Sequence, residues 1–198
     1  MDESDDELFY QHPRFVVHID APAIADVGSI YERFLPANSE ILDLMSSWRS
    51  HLPSTIKSKR VVGLGLNRAE MEDNPALTEI VVHNVNRQPR LPFNDASFDG
   101  AVMTVSVQYL TRPFEVFADV ARVLRTGGPF VVTFSNRMFP AKAIALWQMA
   151  PEQQRPEIVE RYFAEPGTFD SIEVVDHSHR TGFASDPIWA VIGYKKPS

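Results

Sequence analysis

Cysteine is absent from the chain, and its absence removes several classes of site at once. A disulfide framework, a thiolate zinc site and a cysteine nucleophile are all excluded, and the absence agrees with a reducing compartment. Histidine does not replace it, since His177 and His179 have a spacing that can occur at metal sites but lack a convincing third ligand, and a surface loop is the favoured interpretation. We therefore expect no metal site.

Positive charge is also scarce, with 19 lysine and arginine residues against 26 acidic ones and a net charge of −7. Such a surface repels phosphate backbones, and binding to nucleic acid would require a concentrated basic stripe. The densest basic cluster, Lys57, Lys59 and Arg60, directly precedes a predicted strand and is interpreted as a solvated helix end. A nucleic-acid partner is not expected.

Long apolar runs are missing too. None approaches the roughly 20 residues that span a bilayer, so a membrane partner is not expected. Residues 1–7 include five acids and no apolar run, which is not the pattern of a secretory signal. The sequence therefore predicts a soluble, cytoplasmic protein, and it gives no indication of the oligomeric state.

Glycine is sparse, at nine residues, and the sequence holds a single Gly-x-Gly pair, Gly63 and Gly65. This pair lies inside a predicted strand, lacks a third glycine and does not open a helix, so it is not a dinucleotide-binding fingerprint. A nicotinamide-dependent oxidoreductase is accordingly the least favoured of the enzyme classes that the fold allows.

Short apolar runs alternate with amphipathic segments, and hydrophobic residues make up 44% of the chain. Strands that alternate with helices indicate an α/β fold with a parallel, doubly wound sheet. Only the short polar segment 178–187 separates the last two strands, so we expect an antiparallel hairpin there. The prediction is one Rossmann-like domain over 1–198, with an N-terminal lid or helical segment (1–36), a core (40–137), and C-terminal helices and hairpin (138–198).

The elements are predicted from continuous or alternating apolar runs for strands, and from apolar residues three and four apart for helices. The predicted strands are 40–44, 61–66, 79–83, 98–105, 130–134, 171–176 and 189–194. The predicted helices are 24–34, one within 46–57 after a polar loop, 67–74, 113–125, 141–149 and 152–163.

Two motifs within this frame resemble a known family. They are LPFNDASFD at 91–99 and ARVLRTGG at 121–128, the second followed by a strand. Their order and spacing resemble the type-11 methyltransferases of the class I S-adenosylmethionine (SAM)-dependent superfamily. Segments near 9–20, 43–53 and 135–139 are similar to a narrower subgroup, which has the sequence DLMSSW (43–48 here) in place of the glycine-rich motif.

The resemblance implies a SAM site at the carboxyl ends of the first strands. Where the family has an acid and then a glycine-rich loop, this chain has Asp43 followed by Met45, Ser46 and Ser47. These four residues are the predicted counterparts of the loop that binds the methionine portion of SAM. Without glycine, this loop cannot adopt glycine-only backbone angles without strain.

Two further cofactor positions are also changed. The family's ribose-binding acid is replaced by Gly65, and Asn67 is the nearest polar side chain. Asn84, beside Val85, takes the position of the acid that accepts from the adenine amino group, and its side-chain oxygen can still accept. A charge-assisted hydrogen bond is roughly twice as strong as a neutral one, so we expect weaker ribose binding.

By the same resemblance, the methyl acceptor lies near the N-terminal lid and the ends of the later strands. The candidate catalytic residues are His18, His51 and Gln108. The candidate substrate-binding residues are Asp20, Trp48, Ser106, Tyr109 and Arg137. Structural roles remain open for three of them: Asp20 as a helix cap, Tyr109 in packing, and Arg137 in an ion pair with an acid.

The predicted function is SAM-dependent methyl transfer to a small-molecule acceptor, in which placing the acceptor beside the methyl group does most of the work. The rival hypothesis is a methyltransferase-like protein without catalysis that binds a nucleoside or a protein partner. Loops that had drifted after loss of SAM binding would also lack glycine and charge, so both hypotheses are compatible with the sequence.

Overall fold

The computed structural model describes residues 6–178 and 185–197, and this part of the chain forms a seven-stranded sheet flanked by helices. The strands are β1 (Glu40–Leu44), β2 (Arg60–Gly65), β3 (Glu79–Val82), β4 (Gly100–Thr104), β5 (Pro129–Phe134), β6 (Phe169–Asp176) and β7 (Trp189–Lys195). The α-helices are α1 (Asp6–Phe9), α2 (Ala21–Phe34), α3 (Arg68–Glu72), α4 (Pro113–Val123), α5 (Ala145–Met149) and α6 (Arg155–Ala164). Short 3-10 turns, Val107–Tyr109 and Glu152–Gln154, precede α4 and α6.

The strand order is β3-β2-β1-β4-β5-β7-β6, which confirms the predicted Rossmann-like sheet with a C-terminal antiparallel hairpin. The five strands from β3 to β5 in this order run parallel. β7 is antiparallel to both β5 and β6 and lies between them. The order reverses between β1 and β4, the point at which open α/β sheets bind ligands beyond their carboxyl ends.

Helices cover both faces of the sheet, which is why its central strands are apolar almost throughout. All six residues of β5 are buried. On one face, Tyr31 of α2 joins a buried cluster with Val131. On the other, Phe117 of α4 and Phe163 of α6 pack against Phe130, with ring centroids 5.0 and 5.4 Å from it.

The connection from β1 to β2 differs from the prediction. Residues 45–59 are all described and contain no helix, so the helix expected in this stretch is wrong. Met45 has a φ of 55°, outside helical geometry. Asn74 holds the extended chain by donating to the Ser47 carbonyl at 2.8 Å and to the Ser50 hydroxyl at 2.9 Å. β1 is therefore not followed by the helix N-terminus that this fold commonly uses to bind anions.

The remaining differences are smaller. α3 and α5 have five residues each and are shorter than predicted, and the polar lead-in contains the short helix α1. β6 begins two residues before the predicted strand and has a register shift between Asp170 and Glu173. Within the described residues, no helix is both long and apolar enough to cross a lipid bilayer.

Candidate functional site

A cavity of about 270 Å³ lies at the carboxyl ends of β1, β2 and β4. Met45, Gly65 and Val105, which end or follow these strands, form part of its floor. Residues 6–20, which we call the N-terminal strap, contribute Tyr10, Arg14 and His18 to its wall. The volume is near the lower end of the roughly 300–1,000 Å³ of small-molecule sites, and the position is the one predicted for a ligand.

Polar contacts hold the N-terminal strap over the cavity. Asn67 donates to the Tyr10 carbonyl at 2.8 Å. The Asp6 carboxylate lies 2.8 Å from Lys142 Nζ, and the side chains of this ion pair are only 18% and 5% exposed. Asn86 also donates to Asp6 at 2.8 Å. The strap is therefore fastened both to the α3 side and to the chain before α5.

Glu70 of α3 lines the cavity with a carboxylate, and the residue is 6% exposed. Its Oε1 accepts from the Arg14 backbone N–H at 2.7 Å, and its Oε2 accepts from the Ser47 hydroxyl at 2.6 Å. A carboxylate has about four acceptor positions, so both oxygens keep capacity for a ligand. Glu70 was not among the predicted site residues, although an acid in the first turn after β2 was a usable signal.

Asp43 does not line this cavity, whereas Ser46 and Ser47 do. Asp43 Oδ2 accepts from the Ser46 and Ser50 hydroxyls at 2.6 and 2.5 Å. Desolvation by burial raises the pKa of this carboxyl to about 6, and the two hydrogen bonds oppose the rise. Asp43 thus holds the loop that lines the cavity, and its predicted contact with a cofactor would be indirect.

Gly65 packs against the same loop. The Ser46 backbone N–H donates to the Leu64 carbonyl at 2.9 Å. A Cβ atom at position 65 would lie 2.2 Å from the Ser46 carbonyl oxygen, far inside contact distance. A side chain at this position is therefore sterically excluded, so this loop conformation leaves no room for the ribose-binding acid that the family resemblance implies.

The two predicted asparagines hold the local backbone. Asn67 caps α3, its Oδ1 accepting from the Glu70 N–H at 3.0 Å. Asn84 Oδ1 accepts from two N–H groups of the turn that follows it, at 3.1 and 3.2 Å. Both residues line the cavity, as does the buried Val85. Asn84 Oδ1 has both acceptor positions filled. Asn67 Oδ1 has one filled, and its Nδ2 donates to the strap, so both are weaker candidates for cofactor binding than predicted.

Backbone strain borders the cavity on two sides. Met45 after β1 has a φ of 55° and Val105 after β4 has a φ of 48°. Left-handed geometry is a genuine outlier for a β-branched residue such as valine. Strain of this kind costs of order 1–3 kcal/mol per residue and tends to occur at binding and catalytic sites.

Three predicted residues follow β4, and two of them reach the cavity. Ser106 lines it, and its hydroxyl is buried without a partner among the described residues. Tyr109 also lines it, accepts from the Phe139 N–H at 2.8 Å and stacks on the Phe139 ring. Gln108 is fully buried and does not line the cavity. Its Nε2 donates to the carbonyls of Val105 and Arg137, so it supports the wall.

A smaller cavity of about 70 Å³ adjoins the Trp48 side of the strap. His18 lines both cavities, whereas His51 and Trp48 line only the smaller one. Desolvation lowers the pKa of His51 to about 4 and also lowers the pKa of His18, so both are neutral at pH 7. Trp48 Nε1 donates to the Val16 carbonyl at 2.8 Å, which fastens the strap.

Two predicted substrate residues make structural contacts. Asp20 caps α2, since its Oδ1 accepts from the Ala23 N–H at 3.0 Å, and it does not line the main cavity. Arg137 lines the cavity, but its Nε donates to Asp186 at 2.7 Å. Among the described residues, no three histidine or acidic side chains are grouped so that they could hold a metal ion. His179 lies outside those residues.

Comparison with known proteins places this geometry in context. Residues 52–132 match the family model of a methyltransferase domain. A curated relative, the biotin biosynthesis bifunctional protein BioHC of Teredinibacter turnerae, is 28% identical over 111 residues. The match covers 56% of this chain and 18% of the relative, so the chain spans less than a fifth of that protein's length.

Solved structures share the fold. A SAM-dependent methyltransferase of Thermotoga maritima, described as a possible histamine N-methyltransferase, gives a TM-score of 0.63 at 15% identity, over 88% of this chain and 90% of that one. Phosphoethanolamine N-methyltransferase 2 of Haemonchus contortus, solved with SAM, gives 0.58 at 15% identity, over 85% of this chain and 52% of that one. At these identities the likeness shows the fold.

Proposed function

We propose that the main cavity binds SAM and serves methyl transfer to a small-molecule acceptor, because residues 52–132 match a methyltransferase domain and solved SAM-dependent methyltransferases share the fold. SAM is the cofactor of class I SAM-dependent methyltransferases. The acceptor and the use of this particular cavity are the parts that we propose.

The residues at the cavity fit SAM through a changed set of donors and acceptors. The helix after β1, the glycine-rich loop and an acid at position 65 are all missing from the described chain. In their place, the carboxylate of Glu70 lies at the cavity, one turn beyond the end of β2. This buried carboxylate is the observation that carries the proposal, because it supplies the charged acceptor that ribose hydroxyls need.

The other walls suit the rest of the molecule. Tyr10, Tyr109 and Phe139 give the cavity an aromatic side, which attracts a sulfonium cation through the negative faces of the rings. Ser106 adds a buried hydroxyl that lacks a partner among the described residues. When bound, SAM supplies an electrophilic methyl group. The protein's contribution is to orient the acceptor and to exclude water.

His18 is the residue that we assign as general base for a protonated acceptor. It lies at the cavity wall, and its ring packs edge-on against Phe139 at a centroid distance of 5.0 Å. Its lowered pKa keeps the ring neutral at pH 7, which is the state that accepts a proton. His51 is also neutral at pH 7, but it lines the smaller cavity and not the main one, so His18 is the better candidate for the general base.

The proposal is tested by titrating S-adenosylhomocysteine into the wild type and into Glu70→Gln by calorimetry. We expect binding by the wild type, and a loss of about 10- to 100-fold in the variant, because hydrogen bonds to a charged group contribute roughly 1.5–3 kcal/mol. Glu72→Gln is the matched control. Glu72 is on the same helix, but it is exposed and, within the described residues, pairs with Arg68 at 3.6 Å, so we expect wild-type affinity.

Thermal unfolding of both variants separates binding from folding, since Glu70 also accepts from the strap. Unchanged affinity in a folded Glu70→Gln protein would show that Glu70 does not bind the ligand. If the wild type binds neither SAM nor S-adenosylhomocysteine, SAM dependence itself is wrong for this chain. Methyl transfer is then tested by incubating the protein with SAM and a panel of amines, thiols and phenols, and by measuring the S-adenosylhomocysteine that forms.

The non-catalytic alternative has one observation in its favour. The loop after β1 has lost both helix and glycine, so the site differs most from the family where the cofactor's amino-acid portion binds. A protein of that kind would bind adenosine as tightly as S-adenosylhomocysteine and would consume no SAM. Clear preference for S-adenosylhomocysteine over adenosine would favour the enzyme.

A further inference from the structure

Arg14 brings a guanidinium group from the N-terminal strap to the cavity wall. Its Nη2 donates to the Phe9 carbonyl at 2.9 Å. The Cζ atom lies 4.4 Å from the centre of the Phe9 ring and 5.7 Å from that of Phe139. Its Nη1 is buried and has no acceptor among the described residues. The guanidinium is thus held in place by two aromatic rings and one carbonyl, and its Nη1 group is left as a donor without an acceptor.

No described acid forms an ion pair with the Arg14 guanidinium. Asp6, also on the strap, pairs with Lys142, and Glu70 accepts from the Arg14 backbone N–H rather than from its side chain. Arginine stays protonated in proteins. A buried donor that lacks an acceptor costs free energy, and an anionic ligand that accepts from it recovers that cost. An anionic ligand at the strap side of the cavity would therefore supply the acceptor that Nη1 lacks.

The same cavity lacks the anion receptor that its fold usually provides. In α/β folds of this type, an anion binds at the N-terminus of the helix that follows the first strand, where N–H groups and the helix dipole converge. The described residues 45–59 form no helix, and the loop after β1 turns its own Ser46 carbonyl toward Gly65. A ligand carboxylate in this cavity must therefore find its partner elsewhere.

We propose that Arg14 binds the carboxylate of the amino-acid portion of the cofactor, so that the N-terminal strap carries the anion subsite that the β1 loop has lost. The inference rests on the proposed function. It identifies the ligand class of the cavity as a nucleoside that bears a carboxylate, recognised by a planar guanidinium that can engage both carboxylate oxygens.

The test compares two ligands that differ by one group: S-adenosylhomocysteine and its decarboxylated analogue, which keeps the nucleoside, the thioether and the amine. We expect the wild type to prefer S-adenosylhomocysteine. Arg14→Gln should lose about 10- to 100-fold in affinity for S-adenosylhomocysteine and stay within about twofold for the analogue. Arg14→Lys, which keeps the charge but not the fork of donors, should recover part of the preference.

Arg112→Gln is the control variant. Arg112 does not line the cavity, and its exposed side chain pairs with Glu115 at 3.0 Å, so its loss should not change the preference between the two ligands. Arg14→Gln keeps the backbone N–H that supports Glu70, which limits the damage to the side chain.

The outcomes separate the two proposals. Failure of the wild type to bind S-adenosylhomocysteine overturns the proposed function and this inference with it. Binding by the wild type, with Arg14→Gln weakening both ligands equally, would mean that Arg14 only fastens the strap. An unchanged preference in Arg14→Gln overturns the inference while the proposed function stands.

Discussion

At the scale of single residues, the Ser46 carbonyl oxygen limits position 65, the last residue of β2, to glycine. The Ser46 carbonyl occupies the space where a side chain at position 65 would begin, at 2.2 Å from an added Cβ, and Met71 Sδ lies at 3.2 Å. The obstacle is backbone, which cannot rotate away as a flexible side chain can. Glycine is required here for close packing of two strand ends.

We expect Gly65→Ala to destabilise the protein by about 1–3 kcal/mol, the usual cost of overpacking a filled site, and to disturb the cavity floor. The measurement is urea unfolding. Gly28→Ala is the matched control. Gly28 lies within α2, and among the described residues an added Cβ atom would have Pro53 Cβ within 4 Å, at 3.9 Å. Helix propensity there should make the change neutral or stabilising by up to about 1 kcal/mol. Equal effects of the two changes would contradict the packing argument.

At the scale of elements, α1 is a four-residue helix that cannot be stable alone, so its contacts must hold it. Of the two ion pairs that α1 forms within the described residues, Asp6–Lys142 is the more buried. Removing one partner of a buried pair leaves an uncompensated charge and costs several kcal/mol when the element stays in place. A terminal element can avoid that cost by detaching.

We therefore expect Lys142→Met to release α1, seen as amide hydrogen exchange at residues 6–10 that is at least about tenfold faster, with little change in the sheet. Arg87→Gln is the comparison. It removes the Arg87–Glu7 pair on the same helix, where the side chains are 74% and 53% exposed, and exposed pairs contribute about 0–1 kcal/mol. Identical exchange in the two variants would show that the ion pair does not fasten the strap.

At the scale of the whole molecule, two buried groups, Asp43 and His51, make stability depend on pH. Burial raises the pKa of the first and lowers the pKa of the second, so their effects on stability change with pH in opposite directions. Asp43 has a pKa raised to about 6, so its contribution is fully present below about pH 4 and is lost as the pH rises through 6. His51 has a pKa lowered to about 4, so its contribution is present above about pH 6.5 and is lost as the pH falls through 4.

Comparing Asp43→Asn with the wild type isolates the first of these. The amide oxygen can still accept from Ser46 and Ser50, and it carries no charge to desolvate. A shift of about two pKa units corresponds to about 3 kcal/mol, so we expect the variant to be more stable than the wild type by up to about 3 kcal/mol at pH 8. At pH 4 the two should be nearly equal. A difference that does not change with pH would contradict the raised pKa.

Much of the fold was predictable because it follows from local patterns. Strand positions, the parallel core and the C-terminal hairpin come from apolar runs and connection lengths, and each is confirmed. The helix expected after β1 was wrong because its composition is compatible with a helix, whereas the positive φ of Met45 and the hydrogen bonds from Asn74 oppose one. Those contacts join residues far apart in sequence, which no local pattern encodes.

The site was predicted in part for the same reason. Met45, Ser46 and Ser47 follow a strand directly, so topology alone brings them to the cavity. Arg14 reaches it through the path of the strap, which the strand pattern does not encode. Glu70 lies in the first turn after β2, so its position was a usable signal. The predicted roles of the site residues stay predictions until binding is measured.

The path of the strap also bears on how fast a ligand can exchange. Tyr10, Arg14 and His18 belong both to the strap and to the cavity wall, so lifting the strap dismantles part of the pocket. We infer that a ligand bound by those side chains is released when the strap lifts, and that the next ligand binds before the strap returns. Strap opening would then set an upper limit on turnover, and at high ligand concentration the observed association rate should level off at the opening rate.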